Sequence, residues 1–330
     1  MKLQFPFIQI PLFFDAQLIA SEVAALGEAS WRPHPQGFAG NSMLPLVAVD
    51  GDPANESFAG AMRPTPALQR CPYLMQVFAS LGATVGRSRL MRLAGQAEVT
   101  RHADQGYYWT ERVRVHVPIV TQPTVRFECG DAVINMAAGE CWIFDTWRQH
   151  RVLNDAVESR IHLVVDTVGG GRFWELVAKG RHHNAPANAA NWQAHRVAPG
   201  ENLPSPAFET TNVPEVMTPW ELATHLAFLF NEAIPHPQLP VLQQYALQLM
   251  REWRGLWAEH GPAEEGRPKF RALFDSFAVA ARTPAQTVML RNNTRWYEVL
   301  TVMLGHTVVR GVSAEGFADA AAQRVMGDNA

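Results

Sequence analysis

Between Val85 and Val168 apolar and polar residues exchange over short runs: Arg87 to Leu93, Glu98 to His102, Arg112 to Ile119, Thr124 to Phe127, Ala132 to Met136, Cys141 to Phe144 and Arg160 to Asp166. That is the period of strands with one buried face. Gly130-Asp131 and Ala138-Gly139-Glu140 break the runs at close spacing, so the stretch reads as a sandwich, barrel or jelly roll. Residues 1–83 read as an α plus β lead-in, with a short apolar strand near Phe5 to Ile10 and a helix from about Ala16 to Leu26. The segment Pro33 to Pro66 is rich in Gly, Pro, Asn and Asp and is expected to be a long loop. Residues 181 to 213 hold many Ala, Asn and Pro with little periodicity and are expected to form a linker or arm.

Beyond them the period becomes helical. Thr218-Pro219-Trp220-Glu221 supplies an N-cap, a proline at the first helical position and a Glu three residues after the cap. A second helix starts near Pro240 and runs to His260, where Gly261-Pro262 stops it. Runs over about Pro268 to Arg282 and Thr294 to Arg310 bring the total to about four helices, followed by an Ala-rich tail. Phe228, Phe230, Trp253, Trp257, Phe274 and Trp296 fall at spacings typical of buried faces, which fits packing or a homo-oligomer interface. The chain is expected to divide into a domain over 1–180, a linker or arm over 181–213 and an α-helical C-terminal domain over 214–330.

The composition narrows the function. With 47% hydrophobic and 18% charged residues over 330 positions, the chain can bury a sizeable core and is not of the disordered class. Lys plus Arg number 28 against 31 Asp plus Glu, and no basic tract is long enough for a nucleic-acid or membrane surface, so a small ligand is expected. Cys71, Cys129 and Cys141 have neither the number nor the spacing of a disulfide framework or zinc knuckle. The apolar N-terminal patches are interrupted by Pro6, Pro11 and Asp15, and no apolar stretch approaches the roughly 18 residues of a membrane helix. A cytoplasmic protein is expected.

The sharpest chemistry lies in RHADQGYYWT and TWRQHRVLN. Two imidazoles and a carboxylate, here His102, Asp104 and His150, form the facial triad that holds Fe(II) with three positions open. On a strand, residues i and i+2 point the same way, so His102 and Asp104 can face one metal while a distant strand supplies His150. Arg160 and His162 share one face of a strand whose Ile161, Leu163 and Val165 form the other. Arg112, Arg114 and His116 repeat the arrangement opposite three valines. Burying such a cationic face calls for anions, so solvent or negatively charged ligands are expected there, and guanidinium groups suit carboxylates.

Plainer readings stand beside these. His102 with Asp104 could be a surface pair, Arg160 an ion pair with Asp166 or Glu158, Arg112 a solvated strand end and His162 a satisfied interior histidine. His182-His183 reads as solvated surface, and Trp142, Phe144 and Trp147 read as core.

Four blocks, RLMRLAGQAEVTRHAD, RVRVHVPIVTQPTVRF, AAGECWIFDTWRQHRVLN and SRIHLVVD, in that order, resemble the aspartyl/asparaginyl β-hydroxylases and their bacterial relatives over about residues 85 to 168. The resemblance implies a double-stranded β-helix, a cupin-like jelly roll, with flanking helices. It also implies Fe(II) held by His102, Asp104 and His150, 2-oxoglutarate held by Arg160, and O2 as oxidant, with succinate and CO2 as co-products. Arg114 and His116 match the pocket residues that address co-substrate or substrate carboxylates. Some members have Gly in place of the acidic ligand; Asp104 here implies a full triad. With Arg114 of the cationic strand face as the candidate for a substrate carboxylate, the expected substrate is an amino acid or an aspartyl/asparaginyl-like side chain, free or peptidyl. A cupin-like metal hydrolase or isomerase would use the triad but leave Arg160 without a task, and a non-catalytic binding module would not need the triad.

Overall fold

A computed structural model of the chain describes residues 1–35, 37–185 and 192–311. Its contacts divide the described residues into two units: Met1–Asp104 with Trp109–Asn212, and the residues from Val213 onward with Gln105–Tyr108.

The first unit is two antiparallel sheets. Its strands are β1 (Phe7–Phe13), β2 (Arg32–Pro33), β3 (Asn41–Val49), β4 (Met62–Pro64), β5 (Thr84–Leu93), β6 (Glu98–His102), β7 (Val113–Val120), β8 (Val125–Cys129), β9 (Ala132–Ile134), β10 (Glu140–Phe144), β11 (His150–Asn154) and β12 (Arg160–Gly169). Three two-residue strands follow: β13 (Arg181–His182), β14 (His195–Arg196) and β15 (Ala207–Phe208). The large sheet runs β13-β1-β10-β7-β12-β5-β3-β2, and the small one β6-β11-β8-β9. One face of the large sheet, with Leu44, Leu90, Val113, Val115, Val117, Leu163 and Val165, belongs to the main core. That core also takes Ile19 and Val23 from the helix Ala16–Ala25, which Asp15 caps through Gln17 N and Leu18 N. A second core joins Phe7, Trp142 and Phe144 of the large sheet to Val99, Phe127 and Val152 of the small one.

One expectation needs correction and another is narrowed. The Gly- and Pro-rich segment is not a long loop, because it contains β3, which pairs with β5 toward the β2 end of the large sheet. NSMLPLVAV is buried at every position but one, and a strand that is buried and largely apolar on both faces shows no alternation to read. Pro45 sits where the β3–β5 register shifts, a place where a missing N–H is tolerated. Of the two alternatives for 181–213, linker or arm, the described residues of the segment form an arm and do not stand free. β13 and β14 pair with β1, and β15 pairs with β5 in parallel, so backbone bonds rather than apolar periodicity fix this arm.

The turn from β11 to β12 brings Arg160 opposite Leu93. Buried Asn154 donates Nδ2 to Leu93 O at 3.1 Å, Ala94 O at 3.0 Å and Glu158 O at 2.9 Å. Beside it Gly95 has no room for a side chain, since a Cβ would lie 1.8 Å from Val157 O. Asn154→Leu leaves three carbonyls without that donor, and we expect it to lower unfolding free energy by roughly 2–3 kcal/mol, measured by urea denaturation. A change under about 0.5 kcal/mol, the size of an ordinary surface substitution, would contradict this role.

The second unit contains four helices among its described residues, Pro219–Glu232, Leu239–His260, Arg267–Arg282 and Trp296–Leu304. Thr218 Oγ1 accepts from Glu221 N, as its sequence position predicts. Trp253, Phe274 and Trp296 are fully buried; Phe228, Phe230 and Trp257 are half-buried. Trp253 Nε1 donates to Met217 O at 3.0 Å, and Tyr107 Oη to Glu221 Oε1 at 2.6 Å, with the Tyr107 ring against buried His225. The last helix is shorter than expected, giving way to turns after Leu304. The Ala-rich tail lies outside the described residues. Among them no helix is long and apolar enough to cross a membrane.

Candidate active site

The first unit brings three of the expected side chains together where β6 meets β11. His102, the last residue of β6, is the cross-strand partner of His150, the first of β11. Alternation then fixes which residues turn inward. Arg101 and Arg151 both reach Glu128 on the outer side, holding its carboxyl below the usual range mainly through Arg151, so His102 and His150 face in. Asp104 follows at i+2, its N–H donating to Thr146 O at 2.9 Å.

One ligand atom from each of His102, Asp104 and His150 lies within 4.8 Å of the others. His102 Nε2 is 3.9 Å from Asp104 Oδ1 and His150 Nε2 is 4.0 Å from Asp104 Oδ2. His102 Nδ1 meets Thr100 O at 2.6 Å and His150 Nδ1 meets Arg148 O at 2.8 Å. A carbonyl can only accept, so each Nδ1 carries the proton and each Nε2 presents a lone pair beside the carboxylate. Backbone carbonyls orient metal-binding histidines in this way. Asp104 and His150 are buried and His102 is half-buried, and burial, then the neighbouring His102, pushes the His150 pKa well below its ordinary value. The donor set fits a divalent cation.

The inner face of the large sheet carries the remaining expected residues. Arg160 and His162 on β12 and Arg114 and His116 on β7 are all buried. Arg160 Nε and Nη2 have no hydrogen-bond partner among the described residues, and burial pushes its pKa down to about 10. It pairs with neither Asp166 nor Glu158. A charged guanidinium without a carboxylate is costly inside a protein, so Arg160 fits an anionic ligand.

The expectation that solvent or ligands neutralise the β7 face fails for its two arginines, because the chain supplies the carboxylates. Arg112 Nε and Nη2 bind Glu209 Oε1 and Oε2 at 2.8 and 3.0 Å, so it is no solvated strand end. Arg114 Nε donates to Asp166 Oδ1 at 3.1 Å, its Nη1 lies 3.5 Å from Asp104 Oδ2, and its guanidinium carbon sits 4.1 Å over the Trp109 ring. Arg114 thereby bridges the triad carboxylate to Asp166. The sequence reading gave neither Asp166 nor Glu209 this role. Parity marks Asp166, which shares a face with Arg160 and His162, but nothing local marks Glu209, 97 residues from Arg112. Trp142, Phe144 and Trp147 are buried as expected, whereas His182 and His183 are half-buried rather than solvated, packing on Phe5 and Phe7.

The site thus joins a His-x-Asp and a distant His across paired strands, with Arg160 on the other sheet. Residues 50–169 match the aspartyl/asparaginyl beta-hydroxylase family. The match runs from just after β3 to the end of β12 and so takes in all six expected site residues. The chain is also 28% identical over 140 residues to L-proline cis-3-hydroxylase 1 of a Streptomyces species, covering 39% of this chain and 43% of the relative. The alignment thus spans less than half the length of that curated relative. Among solved structures, a Pseudomonas putida prolyl-4-hydroxylase has a TM-score of 0.34 at 17% identity, over 50% of this chain and 92% of its own. A 2OG-Fe(II) oxygenase family oxidoreductase from Burkholderia pseudomallei has a TM-score of 0.35 at 14% identity, over 51% and 87%. Likenesses this slight carry no weight beside the geometry above.

Burial sets a pH response of the first unit. His116 and His162 have folded-state pKa values well below 6.5, burial being the largest cause and Arg160 the next for each. Below about pH 6.5 the unfolded chain binds protons that the folded chain excludes, so stability falls as pH drops through the unfolded value and keeps falling until the folded pKa is reached. We expect up to about 1.4 kcal/mol per pH unit from each histidine over that window, read from urea denaturation between pH 7 and 5. A flat profile in the wild type, or an unchanged slope in His162→Leu, would contradict it.

Proposed function

We propose that the chain is an Fe(II)- and 2-oxoglutarate-dependent dioxygenase that hydroxylates an amino acid, free or within a peptide, on a double-stranded β-helix scaffold. One observation carries the reading: two histidines with their Nε2 lone pairs beside a buried carboxylate, with a buried arginine lacking a carboxylate on the facing sheet. His102, Asp104 and His150 would hold the Fe(II), and Arg160 would hold the distal carboxylate of 2-oxoglutarate through its unpartnered Nε and Nη2. His116 faces the same space from β7. Bound there, Fe(II) with 2-oxoglutarate and O2 supplies the oxidation that turns a C–H into a C–OH, with succinate and CO2 as co-products.

The chain's own part is positioning and exclusion of water. Thr100 and Arg148 carbonyls fix the two imidazoles, Arg114 steadies the Asp104 carboxylate, and Phe127 and Phe144 pack around His116 and His150 as an apolar wall. Arg160 favours the oxygenase reading over a metal hydrolase or isomerase, which would leave that guanidinium without an anion. The substrate class rests on the family match and on the relative whose name places L-proline as its substrate. The test is incubation with Fe(II), 2-oxoglutarate and O2 across free amino acids, proline first, and short peptides. The expected outcome is succinate release matched by a product heavier by one oxygen atom. Release of succinate by no member of the panel above the background without amino acid would count against an amino-acid substrate.

A further inference from the structure

His162 was expected to be an interior histidine satisfied by its neighbours, and its surroundings do not satisfy it. It lies two residues after Arg160 on β12, on the same face, and is 2% exposed. Its Nε2 has no hydrogen-bond partner among the described residues, and neither do Arg160 Nε and Nη2 nor His116 Nε2. Buried polar atoms are partnered in the great majority of cases, so several orphans on adjoining strands mark a place where a ligand supplies the partners.

The one contact His162 does make limits what it can offer. Its Nδ1 lies 3.4 Å from His116 Nδ1. Between two neutral rings that contact needs one Nδ1–H and one bare Nδ1, and the ring with the bare Nδ1 must carry its proton on Nε2. The pair therefore presents one Nε2–H donor and one Nε2 lone pair, and a carboxylate bound at Arg160 selects the arrangement that turns the donor toward it. His162, sharing strand and face with Arg160, is placed to be that donor.

We propose that His162 is a second binding residue for the distal carboxylate of the 2-oxo acid, donating Nε2–H beside Arg160, and that His116 acts through it by donating Nδ1–H to His162 Nδ1. This rests on the reading given under Proposed function. It predicts selectivity for a 2-oxo acid that carries a second carboxylate over one that lacks it.

The experiment compares the wild type with His162→Leu and His162→Gln, each loaded with Mn(II), by calorimetric titration without O2 using 2-oxoglutarate and, separately, pyruvate. Loss of one charge-assisted hydrogen bond should raise the 2-oxoglutarate Kd of His162→Leu by about 10-fold or more. The Mn(II) affinity and the pyruvate Kd should stay within about 2-fold, and His162→Gln, which keeps an N–H donor, should recover much of the loss. An unchanged 2-oxoglutarate Kd in His162→Leu overturns the proposal. So does a joint fall in affinity for Mn(II), pyruvate and 2-oxoglutarate, which would assign His162 a purely structural role. Failure of the wild type itself to bind 2-oxoglutarate would instead strike at the oxygenase reading, so the two failures are distinguishable.

Discussion

Arg160→Ala should weaken 2-oxoglutarate binding by about 10²–10³-fold while leaving metal affinity nearly intact. The guanidinium is 1% exposed, and its Nε and Nη2 have no partner in the described protein, so a bound carboxylate would complete a charge-assisted pair of hydrogen bonds. Such bonds contribute about 1.5–3 kcal/mol each, and two of them at the lower end of that range give a factor of that size. Removing the arginine also relieves the protein of an uncompensated buried charge, so the substituted protein should unfold at equal or higher urea than the wild type when no ligand is present. An arginine serving as a structural ion pair would give the opposite pattern, a large stability loss with little change in 2-oxoglutarate Kd. Titration of the metal-loaded protein, together with urea denaturation of the apo form, separates the two.

Asp166→Ala should have the second large effect, and on different quantities. Asp166 Oδ1 accepts from Arg114 Nε at 3.1 Å while Arg114 Nη1 lies 3.5 Å from Asp104 Oδ2, and all three side chains are buried. Deleting one member of a buried ion pair costs about 3–5 kcal/mol because the other charge is left behind. Here the residual charge has an outlet, since Arg114 can turn wholly toward Asp104. That competes for the carboxylate a metal needs, so the metal affinity should fall by about 10–100-fold, the range seen when outer-shell partners of a metal site are removed. Asp166→Asn keeps an acceptor for Arg114 Nε and should recover part of both losses. Calorimetric titration with Mn(II) and urea denaturation measure the two effects. Unchanged metal affinity in Asp166→Ala would show that Arg114 does not steady Asp104.

How much of this was legible in the sequence depends on how local each signal is. Strands whose two faces differ in chemistry announce themselves by alternation even when both faces are buried, as in β7 and β12, and β5, β6, β7, β10 and β12 lie where the pattern put them. The same parity placed His102 with Asp104 and Arg160 with His162 on common faces. β3 was illegible because both of its buried faces are largely apolar, which erases the alternation, and Pro45 and the nearby glycines argued for a loop. β13, β14 and β15 are two residues each and are held by backbone pairing, which leaves no mark on side-chain pattern. The β7 cations were read correctly as needing anions but wrongly as needing external ones. Arg112 meets Glu209 and Arg114 meets Asp166 through pairings of distant segments that a single sequence does not encode in any spacing. His162 is the converse case: buried histidines are usually satisfied, and its orphan Nε2 becomes visible only once its neighbours are placed.

The central claim is that one Fe(II) and one 2-oxoglutarate share the space between His102, Asp104, His150 and Arg160. Its most direct test is anaerobic titration of the apo-protein with Fe(II) and then 2-oxoglutarate, watching for the visible metal-to-ligand charge-transfer band of a chelated 2-oxo acid. The account predicts a saturable band in the wild type, lost in Asp104→Ala and His150→Ala, and displaced to much higher 2-oxoglutarate concentration in Arg160→Ala. Absence of the band in a wild-type protein that binds Fe(II) would contradict it.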